Sequence, residues 1–195
     1  AVKYAEASRG LNQPDSAIDH ACEDILISSG LHAEAYQRYG LRAAQGNSYL
    51  ARFRAVAKRY PMIEAVEILR DLIKTTPGDE GKWFAAAKEL KLYALALQLA
   101  HQSPCDPKTL NRAARHALES EPEFSLGSAL AALRWLNEGW GYEVTSVDVL
   151  EAYNLVLEAA DRLHIDNVLD EIRGLLSQTH GAGNLFVRQC LTTRI

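Results

Sequence analysis

The sequence predicts an all-α fold, an α-solenoid or superhelix of antiparallel helical hairpins with about nine or ten helices, from three observations. A three-helix layout runs twice, from Ala17 to Pro61 and from Gly81 to Pro122, at an offset of about 60 positions. Layouts repeated at a fixed period mark stacked helical units. Apolar residues recur at helical spacing along most of the chain, and no segment sustains strand alternation. Capping residues and breakers divide the chain at short intervals.

The elements follow in order. A first helix over 16–29 starts at Ser16 with Asp19 and stops at Gly30; a second spans 32–43, with Gly40 as a further stop; a third over 47–60 closes on Pro61. Over 62–75 the apolar stripe is Met62, Val66, Leu69 and Ile73, with Glu64, Glu67 and Asp71 on other faces. Pro77-Gly78 ends it. A helix over 79–90 enters with Asp79 and Glu80 near its positive end, and another covers 92–102. Asp106 followed by Pro107 opens 107–120, since proline at the first helical position gives up no needed N–H, and Pro122 is the next boundary. The stripe Leu126, Leu130, Leu133 and Leu136 marks 123–138; Val149, Tyr153, Val156, Ala160 and Leu163 mark 146–163, opened by Thr145 with Asp148. Helices over 166–178 and, briefly, 184–192 complete the set. Most links are two to six residues, which lays consecutive helices antiparallel. The exception is NEGWGYEVTS, Asn137 to Ser146, which carries Trp140 and Tyr142 between glycines. The run from Trp83 to Ala100 is apolar on more than one face and reads as interior. Direct identities between the two passes are few: Leu50 with Leu110, Arg52 with Arg112, Ala57 with Ala117.

At 195 residues with 48% hydrophobic content, the chain has enough apolar surface to fold without a disulfide or metal. One domain over 1–195 is expected, with repeat-like units at about 17–61 and 81–122, C-terminal helices over 123–180, and a tail or cap over 181–195. Cys22, Cys105 and Cys190 are an odd number at long spacings, which points to a reducing compartment and a cytoplasmic location. No apolar stretch approaches the roughly 20 residues of a membrane span. The chain starts without methionine and Met62 is its only one, which points to a piece of a longer protein.

No motif points to catalysis, a metal or a cofactor. His101 and Cys105 have the spacing of two ligands on one helical turn, but Pro104 lies between them and no second ligand pair is near. His20 and Cys22 are two apart and face different sides of a helix. His164 sits at a helix joint and His180 in a loop. Gly81-Lys82 lacks the strand, the first glycine and the Ser or Thr of a phosphate-binding loop. Glu119 with Glu121, and Asp170 with Glu171, lie at helix ends or on solvent faces.

Charge is more informative. Between Glu34 and Glu64 there is no acidic residue, whereas Arg38, Arg42, Arg52, Arg54, Lys58 and Arg59 give six cations in a chain of formal charge −4. A basic patch on an acidic protein follows. Tyr36, Tyr39, Tyr49, Phe53 and Tyr60 are interleaved with it, as bases would need for stacking, although aromatic residues at this spacing ordinarily pack a core. Contact of the basic hairpin with the acidic remainder of the molecule is the competing outcome.

The stretch from Ala21 to about Tyr153 resembles the C-terminal part of a bacterial helical-repeat family of unknown function, in particular in EAYQRYGL, SYLARFRAVAKRYP, ILRDLIKTTPGDEGKWFAAAKELKLYALALQLAHQSPCDPKTLNRAAR and ALRWLNEGWGYEVTSVDVLEAY. The resemblance implies a tetratricopeptide-like solenoid at the end of a longer protein and implies no activity. The expected function is a non-enzymatic scaffold that binds a protein or peptide, with Arg38, Arg42, Arg52 and Arg59, and Tyr49 alongside, on an acidic segment of the partner. Nucleic-acid or other polyanion binding through the 38–59 hairpin is the alternative, and an enzyme with an unrecognised site the third reading. Self-association is open.

Overall fold

The computed structural model describes residues 2–7, 15–44, 46–178 and 181–194; the side chain of Ser16, and His180, lie outside the described residues. Every regular element among them is a helix, and none is long and apolar enough to cross a membrane. The chain divides into two compact units, Ala1–Pro77 and Gly78–Ile195, at the Pro77-Gly78 stop.

Unit 1 contains α1 (Val2–Ala7), α2 (Asp15–Ser28), α3 (His32–Ala35), a π-helical turn (Tyr36–Gly40), α4 (Leu41–Ala43), α5 (Tyr49–Arg59) and α6 (Ala65–Lys74). Ile18, Cys22 and Leu26 form the buried stripe of α2 at intervals of four. Gly30 ends that helix at φ +77, with Leu31 N–H donating to Leu26 O and Gly30 N–H to Ile27 O, the paired bonds of a left-handed helix stop. Gly40 plays a different part from the one its sequence context suggests. It has helical dihedrals and the chain continues through it, while the Tyr60 ring lies so close that a Cβ there would be 2.8 Å from it. The α6 stripe is also displaced from the expected one: Ile68, Leu69 and Leu72 are buried, whereas Met62 is 57% exposed. Helix α6 starts only at Ala65, after the turn that follows Pro61, so Met62 is not on its face.

Unit 2 opens with a 3-10 turn (Glu80–Trp83) that feeds α7 (Phe84–Glu89), followed by α8 (Tyr93–Gln102), α9 (Pro107–Ala117), α10 (Pro122–Asn137), α11 (Ser146–Leu163), α12 (Val168–Ser177) and α13 (Ala182–Leu191). Asp106 caps α9 by accepting from Thr109 N–H at 2.9 Å. The Asp148 carboxylate accepts from both N–H and Oγ1 of Thr145 at the start of α11. The interior helix of this unit is α10, in contact with α8, α9, α11, α12 and α13. The α8 part of the Trp83–Ala100 run is buried mainly on one side, with Leu92, Leu95 and Leu97 only half-buried. The difference lies in residue size: α10 presents Ser125, Gly127, Ser128, Ala129, Ala131 and Ala132, which let neighbours approach from several directions. Ser125 Oγ donates to Ala114 O of α9, and Trp135 Nε1 donates to Ala100 O of α8, both at under 3 Å.

Gly81 is a fixed point of the first turn in unit 2. Its N–H donates to Ser103 Oγ at 2.8 Å, and a Cβ would lie 2.3 Å from Ser103 O. Gly81→Ala is expected to lower unfolding free energy by about 2–3 kcal/mol through backbone displacement. Gly174, inside α12 with no heavy atom within 4 Å of the same position, is expected to respond the other way, Gly174→Ala adding about 0.5–1 kcal/mol. Urea unfolding of both variants measures the contrast.

Candidate functional site

The cations singled out from the sequence all lie in unit 1, and Arg38, Arg42 and Arg59 face carboxylates. Arg38 pairs with Glu6 at 2.7 Å and Glu34 at 2.6 Å, and lies over the Tyr39 ring at 5.3 Å. Arg42 approaches Asp19 at 3.9 Å and donates to Arg38 O. Arg52 donates to Leu41 O at 2.5 Å, which ties α5 to α4. Arg59 pairs with Asp24 and stands 3.8 Å from Glu23. Tyr49, half-buried, is the first residue of α5 after the Ser48 cap. Three cations of the stretch without acids thus meet acids from α1, α2 and α3.

The sequence marks Asp19 only as a helix-cap partner and Glu34 only as the edge of the acid-free stretch, and it does not mark Glu6, Glu23 or Asp24. Asp19 and Glu23 are 5% and 3% exposed, four residues apart on α2, beside the stripe of Ile18, Cys22 and Leu26. That adjacency was the available signal, since a carboxylate on the buried side of a helix requires a donor. Three phenols supply donors in this unit: Tyr60 Oη donates to Glu23 Oε1 at 2.5 Å, Tyr39 Oη to Glu6 Oε1 at 2.5 Å, and Tyr36 Oη to Asp71 Oδ2 at 3.1 Å. Tyr36, Tyr39, Phe53 and Tyr60 are buried, so these rings pack the core and offer no face for base stacking. The same cluster borders a cleft of about 350 Å³ lined by His20, Glu23, Asp24, Gly40, Ala44, Ala55, Val56 and Arg59.

Unit 2 carries the most exposed aromatic pair on a braced turn. Gly139 ends α10 at φ +86, and Trp140 N–H donates back to Trp135 O at 2.8 Å. The two indoles then meet edge to face at 6.4 Å, the apolar contact that accompanies such a helix stop. Beyond it, Gly141 has φ +119 and Glu143 φ +47, and Glu143 O accepts from Lys108 Nζ at 2.9 Å. Trp140 is 51% exposed and Tyr142 80%. Beside them lies an apolar cleft of about 260 Å³ with Leu136, Val144 and Phe186 in its lining. It is closed on one side by α13, whose Gly183 sits against Gly139 so tightly that a Cβ would be 2.5 Å from its nitrogen. Asn184 holds α13 there by donating to Asn137 Oδ1 and Leu176 O.

The remaining reactive side chains have ordinary surroundings. Burial, and then Asp106, pushes the Cys105 thiol up to about 12, which keeps it protonated and a poor nucleophile. Partial burial, and then the Arg134 guanidinium, pushes His101 down. Lys82 pairs with Asp79 at 2.9 Å and Glu80 accepts from Gly78 N–H, so the Gly81-Lys82 segment is a helix entry. No group of three or more His, Cys, Asp or Glu side chains able to hold a metal occurs among the described residues.

Comparison with protein-family models, curated proteins and solved structures gave no match to this chain.

Burial raises the phenol pKa values of Tyr36, Tyr39 and Tyr60 above the ordinary 10.0, and the neighbouring carboxylates raise them further. A folded-state pKa raised in this way contributes stability that is complete below the unfolded value and is lost as pH rises beyond it. Melting temperature, followed by far-UV circular dichroism, is therefore expected to fall above about pH 10, with a shallower fall in Tyr60→Phe. At neutral pH the same variant leaves Glu23 Oε1 without its donor, at a cost of about 1–3 kcal/mol.

Proposed function

We propose that this chain is a non-enzymatic scaffold that binds a protein or peptide, and that its partner-facing element is the Trp140–Tyr142 turn with the adjoining apolar cleft. The observation that carries the reading is the exposure of two large aromatic side chains, at 51% and 80%, on a turn held by its helix stop and by Lys108. Aromatic anchors dominate binding energy at interfaces, and an anchor already fixed before contact loses little conformational freedom on binding. The short links between α7 and α8, and between α9 and α10, support a tetratricopeptide-like solenoid at the level of local pairs. In this reading the chain is the C-terminal helical-repeat part of a longer cytoplasmic bacterial protein.

Binding of an acidic segment by Arg38, Arg42, Tyr49, Arg52 and Arg59 requires a different event, because the partner has to exchange with Glu6, Glu34, Asp19 and Asp24. The same exchange applies to a nucleic-acid backbone. The two surfaces are separable by selecting ligands from a displayed random-peptide library on the whole chain and measuring affinities by fluorescence anisotropy. Trp140→Ala and Tyr142→Ala are expected to weaken the selected peptides by about tenfold or more, with Tyr142→Ala changing stability by less than about 0.5 kcal/mol. Unchanged affinity in both variants, with loss in Arg52→Glu/Arg59→Glu and steep salt dependence, would move the site to the basic hairpin. Failure to enrich any peptide would count against the scaffold reading itself.

A further inference from the structure

The cleft in unit 1 exists because its walls are small. Gly40, Ala44 and Ala55 extend no further than a Cβ, and the space above them is open to the buried side of α2. Glu23 reaches that space with 3% of its surface exposed. Its two oxygens are not equivalent. Oε1 accepts from the Tyr60 hydroxyl, whereas His20 Nδ1 lies 3.6 Å and Arg59 Nε 3.8 Å from Oε2, both beyond good hydrogen-bond distance. Arg59 is held on Asp24 through Nη2 and does not close on Glu23. Among the described residues, Glu23 Oε2, a carboxylate oxygen of the cleft lining, thus has no short, charge-assisted donor.

Charge and shape select the missing donor. Glu23 and Asp24 against Arg59 leave one negative charge on the lining, which repels carboxylates and phosphates. A divalent cation needs six or more oxygen ligands, or at least an octahedron completed by several carboxylates and waters, and the lining offers one carboxylate oxygen without a close partner. A guanidinium binds best to both oxygens of a carboxylate at once, and Oε1 is occupied by Tyr60. An uncharged apolar molecule leaves Oε2 unmet. An ammonium group is a compact point charge with three donors, and a short alkyl chain behind it fits against Ala44, Ala55 and Val56.

We propose that this cleft is a binding site for an alkylammonium group, with its nitrogen on Glu23 Oε2 and its carbon chain along the α5 wall. The group can be presented by a free small amine or by a lysine side chain of a peptide. The inference concerns unit 1 alone and stands whether or not the Trp140–Tyr142 turn binds a partner.

The test is isothermal titration of the whole chain with n-butylamine and putrescine in one arm and a short lysine-containing peptide in the other, with 1-butanol and butyrate as controls. Saturable binding of the amines or the peptide, at about millimolar affinity or better and with neither control binding, is the expected result. Free amines binding as well as the peptide identifies a small-molecule ligand; binding of the peptide alone identifies lysine. Glu23→Gln is expected to weaken binding about tenfold or more, but that variant also alters the partner of Tyr60. Ala55→Leu fills the cleft from an exposed position of α5 and leaves every charged group in place, so it tests the site without that disturbance. Absence of saturable binding at about 10 mM amine in the parent chain, or binding unaffected by Ala55→Leu, would overturn the proposal.

Discussion

A carboxylate taken out of water must be met by donors, and in unit 1 that requirement falls on the buried side of α2. Asp19 and Glu23 flank the Ile18–Cys22–Leu26 stripe, so the helix cannot bury its apolar side without drawing in hydroxyls and guanidiniums. Tyr60, at the end of α5, answers for one oxygen of Glu23, while Arg59 beside it reaches Asp24. Arg42, from α4, approaches Asp19 to 3.9 Å. The approach of Tyr60 in turn requires Gly40, whose missing side chain leaves room for the phenol ring. This pair of acids therefore ties α4 and α5 to α2, and three of the six cations, Arg38, Arg42 and Arg59, end on carboxylates of other helices. Exposed pairs of this sort add little stability each, about 0–1 kcal/mol, so their effect is on arrangement more than on strength.

Unit 2 meets the opposite constraint, which is close approach without charge. The small residues of α10 admit five neighbouring helices, and two of the polar side chains buried with them bond to backbone carbonyls, Ser125 to Ala114 and Asn137 to Leu175. The same device recurs at the C-terminal end of α10, where Gly139 and Gly183 touch backbone to backbone and Asn184 locks the contact. The two units thus hold their helices by different means, acid with phenol and guanidinium in the first, small side chains with carbonyls in the second.

Helix positions were legible because their signals are local. Asp106-Pro107, Thr145 with Asp148, and Gly30 act within a few residues of themselves, and the helices begin or end beside them. Helix α1 was not legible. Six residues are too few to nucleate a helix unaided, and this one meets Arg38 and Tyr39 through Glu6, contacts 32 and 33 residues away. Charge misled for the same reason. A count along the chain sees Arg38 through Arg59 without acids, whereas the pairs that decide the surface join Arg59 to Asp24 and Tyr60 to Glu23 across 35 and 37 residues. The Trp140–Tyr142 turn was visible as an irregular stretch, but its bracing contacts come from Trp135 and Lys108, which no local pattern connects to it.

That turn also concentrates two costs in one place. Glu143 takes a left-handed conformation that non-glycine residues adopt at a cost of about 1–2 kcal/mol, and Gly141 is hemmed in by Val144, where a Cβ would lie 2.5 Å from a methyl carbon. At the same turn Trp140 and Tyr142 expose apolar surface that folding alone would bury. Core packing offsets little of this, because Trp140 is only half covered, by Trp135 and the wall of the apolar cleft, and Tyr142 is 80% exposed. A strained and exposed turn braced by a neighbouring helix is hard to explain as a connection between α10 and α11, since shorter links join most other pairs in the unit. The proposed role in partner binding would account for it, with the Trp140 ring already set by Trp135 and the apolar area covered on contact.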